Sequence, residues 1–198
     1  MRRTRALALA LLTLPAGGFL AACGSDTTAI LAEPLCPSAG RGAGNGAILM
    51  AQSVPTATWI PCIRSALPLG WNFHHLDARN GEARFWLDSD RDGQLAVEVR
   101  LAASCDTAGA TEVASDHEDM RRLERVGRTS PSYAGERYYL YEGGCLTVVF
   151  SLDGNNAGEA LALASQAIGV VPRDELRAQV HDTSDGRLSL DPPPQGNG

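Results

Sequence analysis

The sequence predicts an α+β domain, in which an antiparallel β-sheet built from hairpins is followed by a C-terminal helix packed on one face. Two observations predict this fold class. Three pairs of strand-like segments are joined by short turns rich in Gly, Asn or Asp, which is typical of β-hairpins. After the last pair, apolar residues recur at helical spacing. A sheet with one apolar face must cover that face, and the helix is the natural cover.

The first hairpin is predicted at Asn80-Gly81, between the runs WNFHHLDA and EARFWLDS. Both turn residues tolerate positive φ, so this dipeptide favours a two-residue turn. A one-residue slip would place Leu76 against a charge, so the apolar pattern selects one register. That register predicts three cross-strand pairs: Leu76 with Phe85, Asp77 with Arg84, and His74 with Leu87.

The second hairpin is predicted at the turn from Asp90 to Gly93, which is followed by the run QLAVEVRLA. Alternation along the two strands indicates one buried face and one polar face. The predicted buried face consists of Ala83, Phe85, Leu87, Leu95, Val97, Val99 and Leu101. Trp86 is the large apolar exception on the opposite face.

The remaining elements follow from composition and spacing. Residues 136–142 and 145–152 are rich in aromatic and β-branched side chains and predict a third hairpin, with a more exposed strand at 121–126. Residues 155–168 predict a helix with Asn155 as N-cap, and a second short helix runs from Pro172 to about His181. Two earlier segments are predicted as a first strand at 47–52 and a short helix or irregular turn at 56–66.

The N-terminal segment predicts export. Arg2, Arg3 and Arg5 precede the apolar run ALALALLTL, which is the order of a secretory signal. The run is too short for a spanning helix, which needs about twenty apolar residues. Leu20-Ala21-Ala22-Cys23 then resembles the lipobox of bacterial lipoproteins, notably those of actinobacterial envelopes. The resemblance implies cleavage before Cys23 and a diacylglyceryl group on its thiol, and two acyl chains suffice for stable anchoring. An ordinary signal peptide is the other interpretation.

These features predict four regions. Residues 1–22 are the signal peptide, 23–46 the lipidated cysteine and a flexible Gly/Ala/Ser/Pro-rich tether, 47–184 the globular α+β domain, and 185–198 a disordered tail. The 198-residue chain has a net charge of −6, and loss of Arg2, Arg3 and Arg5 makes it 14 − 23 = −9. An acidic protein of this kind is not expected to bind nucleic acid. The predicted partners are the membrane, through the anchor, and an envelope protein or lipid.

Four cysteines remain after Cys23. An even number in an exported protein predicts two disulfides, and three pairings are possible. Cys36–Cys62 with Cys105–Cys145 is favoured because it closes the shorter loops. No CxxC motif is present, so thiol-redox or zinc-ribbon chemistry lacks its usual spacing.

Asp88, Asp90 and Asp92, followed by Gly93, match the first half of a calcium loop, because carboxylates at alternate positions can converge on one cation. Val99 occupies the position of the closing glutamate, and the flanks read as strands. The same residues suit a plain hairpin turn, which is the preferred interpretation. The sequence therefore predicts no metal site and no cofactor, with calcium kept as the alternative.

Two polar clusters contain residue types that suit acid–base or metal chemistry. His74, His75 and Asp77 form the first, but neighbours on a strand point to opposite faces. His74 is therefore expected on the buried face and His75 beside Trp86. The second cluster, Asp116-His117-Glu118-Asp119, is interpreted as a solvated loop. A separate prediction is an aromatic patch of Trp71, Phe73, Trp86 and Tyr139, which either binds a partner or is covered.

The functional expectation is a lipid-anchored, extracytoplasmic binding or accessory module of the cell envelope without a catalytic residue. The element order also resembles the helix-grip arrangement of START-like proteins, which implies a carrier with an apolar ligand between sheet and helix. A third hypothesis, an envelope hydrolase, requires His75 or His117 within hydrogen-bond reach of Asp or Ser. The motifs GxSxG, SxxK and HExxH are absent from the sequence.

Overall fold

A computed structural model describes residues 30–64, 66–154 and 156–190 and confirms the α+β class. Seven antiparallel strands form one sheet in the order β2-β3-β4-β8-β7-β6-β5, and β1 pairs with β9 in a second, two-stranded sheet. The strands are β1 (Trp59–Ile63), β2 (Trp71–Arg79), β3 (Glu82–Ser89), β4 (Gly93–Ala102), β5 (Thr111–Val113), β6 (Arg121–Arg128), β7 (Tyr133–Tyr141), β8 (Gly144–Leu152) and β9 (Ile168–Pro172). The helices are α1 (Asn45–Ser53), α2 (Ala157–Ala167) and α3 (Arg173–Thr183).

All three predicted hairpins are present, as β2–β3, β3–β4 and β7–β8. Leu76 pairs with Phe85 and Asp77 with Arg84, as the apolar pattern requires. Phe85 and its inward neighbours on β4 and β8 are fully or nearly fully buried. This inner face of the sheet, together with the helices, forms the main hydrophobic core.

Two predicted positions near the hairpins are wrong, and a β-bulge explains each. On β2, Phe73 pairs with Leu87 and His75 with Trp86, so the extra residue His74 has no partner in the register. His74 therefore contacts Asp88 on the outer face instead of entering the core. On β4, Leu95 adopts φ 54° beside a second irregularity and is 46% exposed.

The segment predicted as a first strand is the helix α1. Ala47, Met50 and Ala51 are fully buried, and their i, i+3, i+4 spacing is that of one helix face. The segment predicted as a short helix or turn contains the strand β1. Pro61 lies within β1, which is compatible with the edge of a small sheet.

The described part of the predicted tether is packed against the domain. The N–H of Ile30 donates to the carbonyl of Leu76 at 2.7 Å, and the reverse bond measures 2.8 Å. Cys36 is joined to Cys62 on β1. Residues 30–46 therefore belong to the folded body, and the prediction of a flexible coil fails there.

The C-terminal elements match the prediction with one addition. Helix α2 ends at Ala167, and the next five residues form β9. Asn155, the predicted N-cap, lies outside the described residues, and Asn156 occupies the cap position. In the predicted tail, Leu190 is only 1% exposed, so residues 185–190 end against the core, while 191–198 lie outside the described part.

Both favoured disulfides are present, Cys36–Cys62 and Cys105–Cys145. The second bond holds the 103–113 segment against the outer face, where Leu123, Tyr138 and Cys145 form a small second core. Within the described ranges, no helix has the length and apolar character needed to cross a membrane.

Candidate functional site

A cavity of about 300 Å³ lies between the inner face of the main sheet and the segment formed by the end of α2 and β9. We call it the sheet–helix cavity. Its apolar floor consists of Leu146, Val148, Ile168 and Val170. Its polar wall consists of Arg64, Asp116, His117, Tyr139, Ser165 and Gln166. A pocket of this volume is at the lower end of the range for small-molecule sites, about 300–1,000 Å³.

The floor is a consequence of strand alternation. Leu146 and Val148 are inward residues of β8 and are 2% and 3% exposed. Ile168 and Val170 come from β9, which continues directly from α2. Helix α2 and strand β9 therefore lie over the inner face of the sheet, and the cavity lies between this segment and the sheet.

The inner face of the sheet changes from apolar to polar at β7 and β6. Glu124 accepts hydrogen bonds from Arg122 and, at 2.7 Å, from Nε of Arg137. Arg137 also donates from Nη1 to the hydroxyl of Ser165 on α2 at 2.9 Å. Burial alone would raise the pKa of Glu124, but the two arginines outweigh it and hold this pKa below its usual range. This ionised network of three residues contacts the polar wall through Ser165.

Tyr139 and His117 form the central part of the polar wall. Tyr139 is 7% exposed, and the His117 ring meets it edge-on with centroids 5.9 Å apart. Burial raises the pKa of Tyr139, so its hydroxyl remains protonated at neutral pH. Asp116 lies 3.8 Å from Nη1 of Arg122, which places its charge opposite an existing cation.

Arg64 is the arginine of the polar wall, and within the described ranges its guanidinium has no charged partner. Its backbone N–H donates to the carbonyl of Ala167 at 2.8 Å, which fixes its position at the end of α2. A Cβ on Gly169 would lie 3.2 Å from Cγ and 3.4 Å from Nε of Arg64. The stem of Arg64 therefore passes beside the glycine, and a larger residue at 169 would crowd both this stem and Sγ of Cys36, which would lie 3.0 Å from the same Cβ.

The first predicted histidine cluster forms a surface arrangement on the outer face. Nδ1 of His74 lies 2.8 Å from Asp88, and Nε2 of His75 lies 3.9 Å from Asp77. His75 stacks on Trp86 with centroids 4.3 Å apart, as the sequence predicts. Each histidine thus has a different carboxylate as its partner.

The predicted calcium loop is used for hydrogen bonding. Asp88 accepts from the N–H of Leu95, and Asp92 accepts from the hydroxyl of Ser89 and from the N–H of Gly154, each at 2.8 Å. Over the described ranges, no group of three or more His, Cys, Asp or Glu side chains is arranged to hold a metal ion. Asp92 instead ties the β3–β4 turn to the loop before α2.

The predicted aromatic patch is divided between two faces. Trp71 and Phe73 belong to the core, and Tyr139 lines the sheet–helix cavity. Trp86 lies on the outer face between His75 and the guanidinium of Arg84, which is 5.4 Å from its ring centroid. The four side chains therefore do not form one binding surface.

The second polar cluster reaches the cavity only in part. Asp116 and His117 line it, whereas Glu118 and Asp119 are exposed. In the described part of the chain, the His117 ring has no hydrogen-bonded Asp or Ser, so the pair required by the hydrolase hypothesis is not formed there. Cys23, the predicted lipidation site, lies outside the described residues.

Comparisons with protein-family models, with curated proteins and with solved structures find no match to this chain.

Sequence reasoning missed Arg64, Ser165 and Gln166 as cavity residues. One signal was available for the charged network beside the polar wall. Arg122 and Glu124 are two residues apart on the predicted strand at 121–126, so they lie on the same face of it. Nothing in the sequence indicates that Arg64 would lie beside α2, because that contact depends on the pairing of β1 with β9.

Proposed function

We propose that this protein is a lipid-anchored binding module of the cell envelope, exposed outside the cytoplasmic membrane, and that the sheet–helix cavity is its binding site. The single observation that carries the binding role is the cavity, which is lined by both apolar and polar side chains. Small-molecule sites combine these two features, because apolar surface contributes affinity and a few polar groups fix orientation.

The anchoring part of the proposal is supported by the order of basic residues, apolar run, small residues and Cys23. The two disulfides are consistent with an oxidising compartment. Cys23 precedes Ile30, the first described residue, by seven residues, and Ile30 is bonded to Leu76 on β2. At about 3.3–3.6 Å per residue, an extended segment of this length reaches about 25 Å at most. The β2 edge would then remain close to the bilayer.

The binding role takes the form of a carrier or receptor for a small molecule. A methylene group is roughly the size of a water molecule, which occupies about 30 Å³ in the liquid. The cavity then holds on the order of ten such groups, which is one short chain or one small ring system. A two-chain lipid would not fit inside it.

The anchor is tested by replacing Cys23. Cys23→Ala is expected to accumulate as precursor and to lose labelling by radioactive palmitate, because the thiol is the acceptor. Ser25→Ala is the matched control and should be processed and labelled as the wild type. Persistent labelling of Cys23→Ala would refute the anchor.

The binding role is tested on the full-length protein extracted from membranes. Native mass spectrometry should detect a co-purifying small molecule, and compound screening should find ligands that raise Tm, since a ligand at 100 times Kd adds about 2.7 kcal/mol. Gln166→Trp places a bulky side chain at an exposed rim position and should abolish both effects. Ligand binding that is unchanged in Gln166→Trp would exclude this cavity.

A further inference from the structure

We infer that the sheet–helix cavity selects a small carboxylic acid with an apolar body, and that Arg64 binds its carboxylate. This inference rests on the proposed function and specifies its ligand class. Four features of the cavity support it: the charges in and around it, the position of Arg64, the neighbouring hydrogen-bond donors and the apolar floor.

The charge balance leaves one cation available. Arg122 and Arg137 both bind Glu124, and Asp116 lies near Arg122. Arg64 and Asp116 line the cavity, and the other three groups lie beside it. Together the five groups carry three positive charges and two negative charges, in a chain whose net charge is −6. A ligand with a single negative charge is therefore the complementary partner.

The position of Arg64 favours a planar anion. Its side chain is exposed and passes beside Gly169 at the edge of the cavity, so its guanidinium is open to a ligand. A guanidinium donates two parallel hydrogen bonds to a carboxylate, which is the geometry of the strongest such pairs. Lysine would offer only a point charge at this place.

The donors beside Arg64 are suited to the same group. Tyr139 keeps its hydroxyl proton at neutral pH because burial raises its pKa. Ser165 accepts from Arg137, which leaves its own hydroxyl proton for another acceptor. Each can donate to an anion, and the carboxylate of Asp116 disfavours a second negative charge.

The floor sets the remainder of the ligand. Leu146, Val148 and Ile168 are buried aliphatic residues, and they offer apolar contact beside the polar groups of the wall. With room for roughly ten methylene-sized groups, the body is a chain of about eight carbons or a single aromatic ring with a short linker. Octanoate and 3-phenylpropionate represent these two shapes.

The test measures binding to the full-length lipoprotein in phospholipid nanodiscs by calorimetry, with empty nanodiscs as background. Octanoate and 3-phenylpropionate are compared with octanamide, which has the same chain as octanoate but no charge. Octanoate should bind at least tenfold more tightly than octanamide, and the two acids together report whether a chain or a ring is preferred. Arg64→Gln should weaken the acids at least tenfold and leave octanamide unchanged, because one charge-assisted pair is lost.

Arg128→Gln is the matched control, since it removes the same charge from an exposed strand end and should leave all affinities unchanged. Equal affinity of octanoate and octanamide, or equal loss in both arginine variants, would overturn the inference while the binding role stands. If neither acid nor amide binds but another compound from the screen does, and Gln166→Trp abolishes it, the ligand class is wrong and the site is right. Absence of any ligand in both experiments refutes the proposed function itself.

Discussion

Gly143→Ala tests whether the β7–β8 turn is docked against the segment that leads into β1. Gly143 has φ +70°, and a Cβ there would lie 1.9 Å from the carbonyl oxygen of Thr56. The adjacent residue Glu142 accepts hydrogen bonds from the hydroxyl of Thr58 at 2.8 Å and from its N–H at 3.4 Å. Alanine at 143 must therefore push the turn away from this segment and break these bonds.

The expected loss has two parts. A left-handed conformation costs an alanine about 1–2 kcal/mol. Displacement of the turn removes two hydrogen bonds, each with a net contribution of about 0.5–1.5 kcal/mol. Gly143→Ala should therefore lower the free energy of unfolding by about 2–5 kcal/mol, and Tm falls by about 2–4 °C per kcal/mol in a protein of this size.

The assay is thermal and urea unfolding of the purified protein with its disulfides intact. Gly81→Ala is the matched control, because Gly81 has φ +88° in the β2–β3 turn and its Cβ would meet nothing within 4 Å. Gly81→Ala should show only the conformational loss of about 1–2 kcal/mol. If both variants lose the same stability, the contact between the turn and Thr56 contributes nothing, and the reasoning is wrong.

Three further predictions concern stability. Replacing Cys105 and Cys145 by alanine should lower the free energy of unfolding by about 4 kcal/mol in urea, because this disulfide closes a loop of 40 residues. The pKa of Glu124 is lowered in the folded state, so its ionised carboxylate stabilises the fold at pH values above its unfolded pKa of about 4.3. This stabilisation is lost as the pH falls through the folded pKa. Glu124→Gln should therefore flatten the decline of Tm between pH 7 and pH 3. Arg173→Met should cost about 3–5 kcal/mol in urea unfolding, because the buried guanidinium donates to two carbonyls at the end of α1.

A control variant or condition distinguishes the proposed cause from the alternative for each of the three changes. For the disulfide, wild type and variant should be equally stable in reductant. If the difference in free energy of unfolding persists in reductant, the loss comes from packing and not from loop closure. For Glu124, the exposed Glu118→Gln should leave the pH profile unchanged, and an identical effect of both would contradict the network. For Arg173, lysine should restore part of the loss, and full stability of the methionine variant would mean that the charge is dispensable.

Local chemistry explains which parts of the fold could be predicted. Asn80-Gly81 restricts the backbone to a tight turn, and period-two alternation from Ala83 to Leu87 then decides which side chains are buried. The spacing of the cysteines favoured the observed disulfides. The same logic failed at His74 and Leu95, because a single bulge reverses the alternation and carries no clear signature in the sequence.

Most of the candidate site, in contrast to the fold, could not be predicted from the sequence. The sequence indicated Asp116 and His117 as a polar run, and the order of elements suggested a ligand space between sheet and helix. Neither observation placed these two residues in that space or indicated the other residues of its polar wall. Arg64 reaches the cavity because β1 pairs with β9, more than one hundred residues away in the chain. Such a pairing depends on tertiary packing, which local propensity does not encode.

The sequence by itself determined the class of fold, the three hairpins and the cysteines that form disulfides, because each depends on local spacing or on simple periodicity. Only the tertiary structure decided that residues 30–46 belong to the body, that α1 is a helix and that Arg64, Tyr139 and Ser165 share one cavity. The physical reason is that burial is collective. Whether a short apolar segment becomes strand or helix, and whether a charged side chain finds a partner, depends on which distant surfaces remain to be covered.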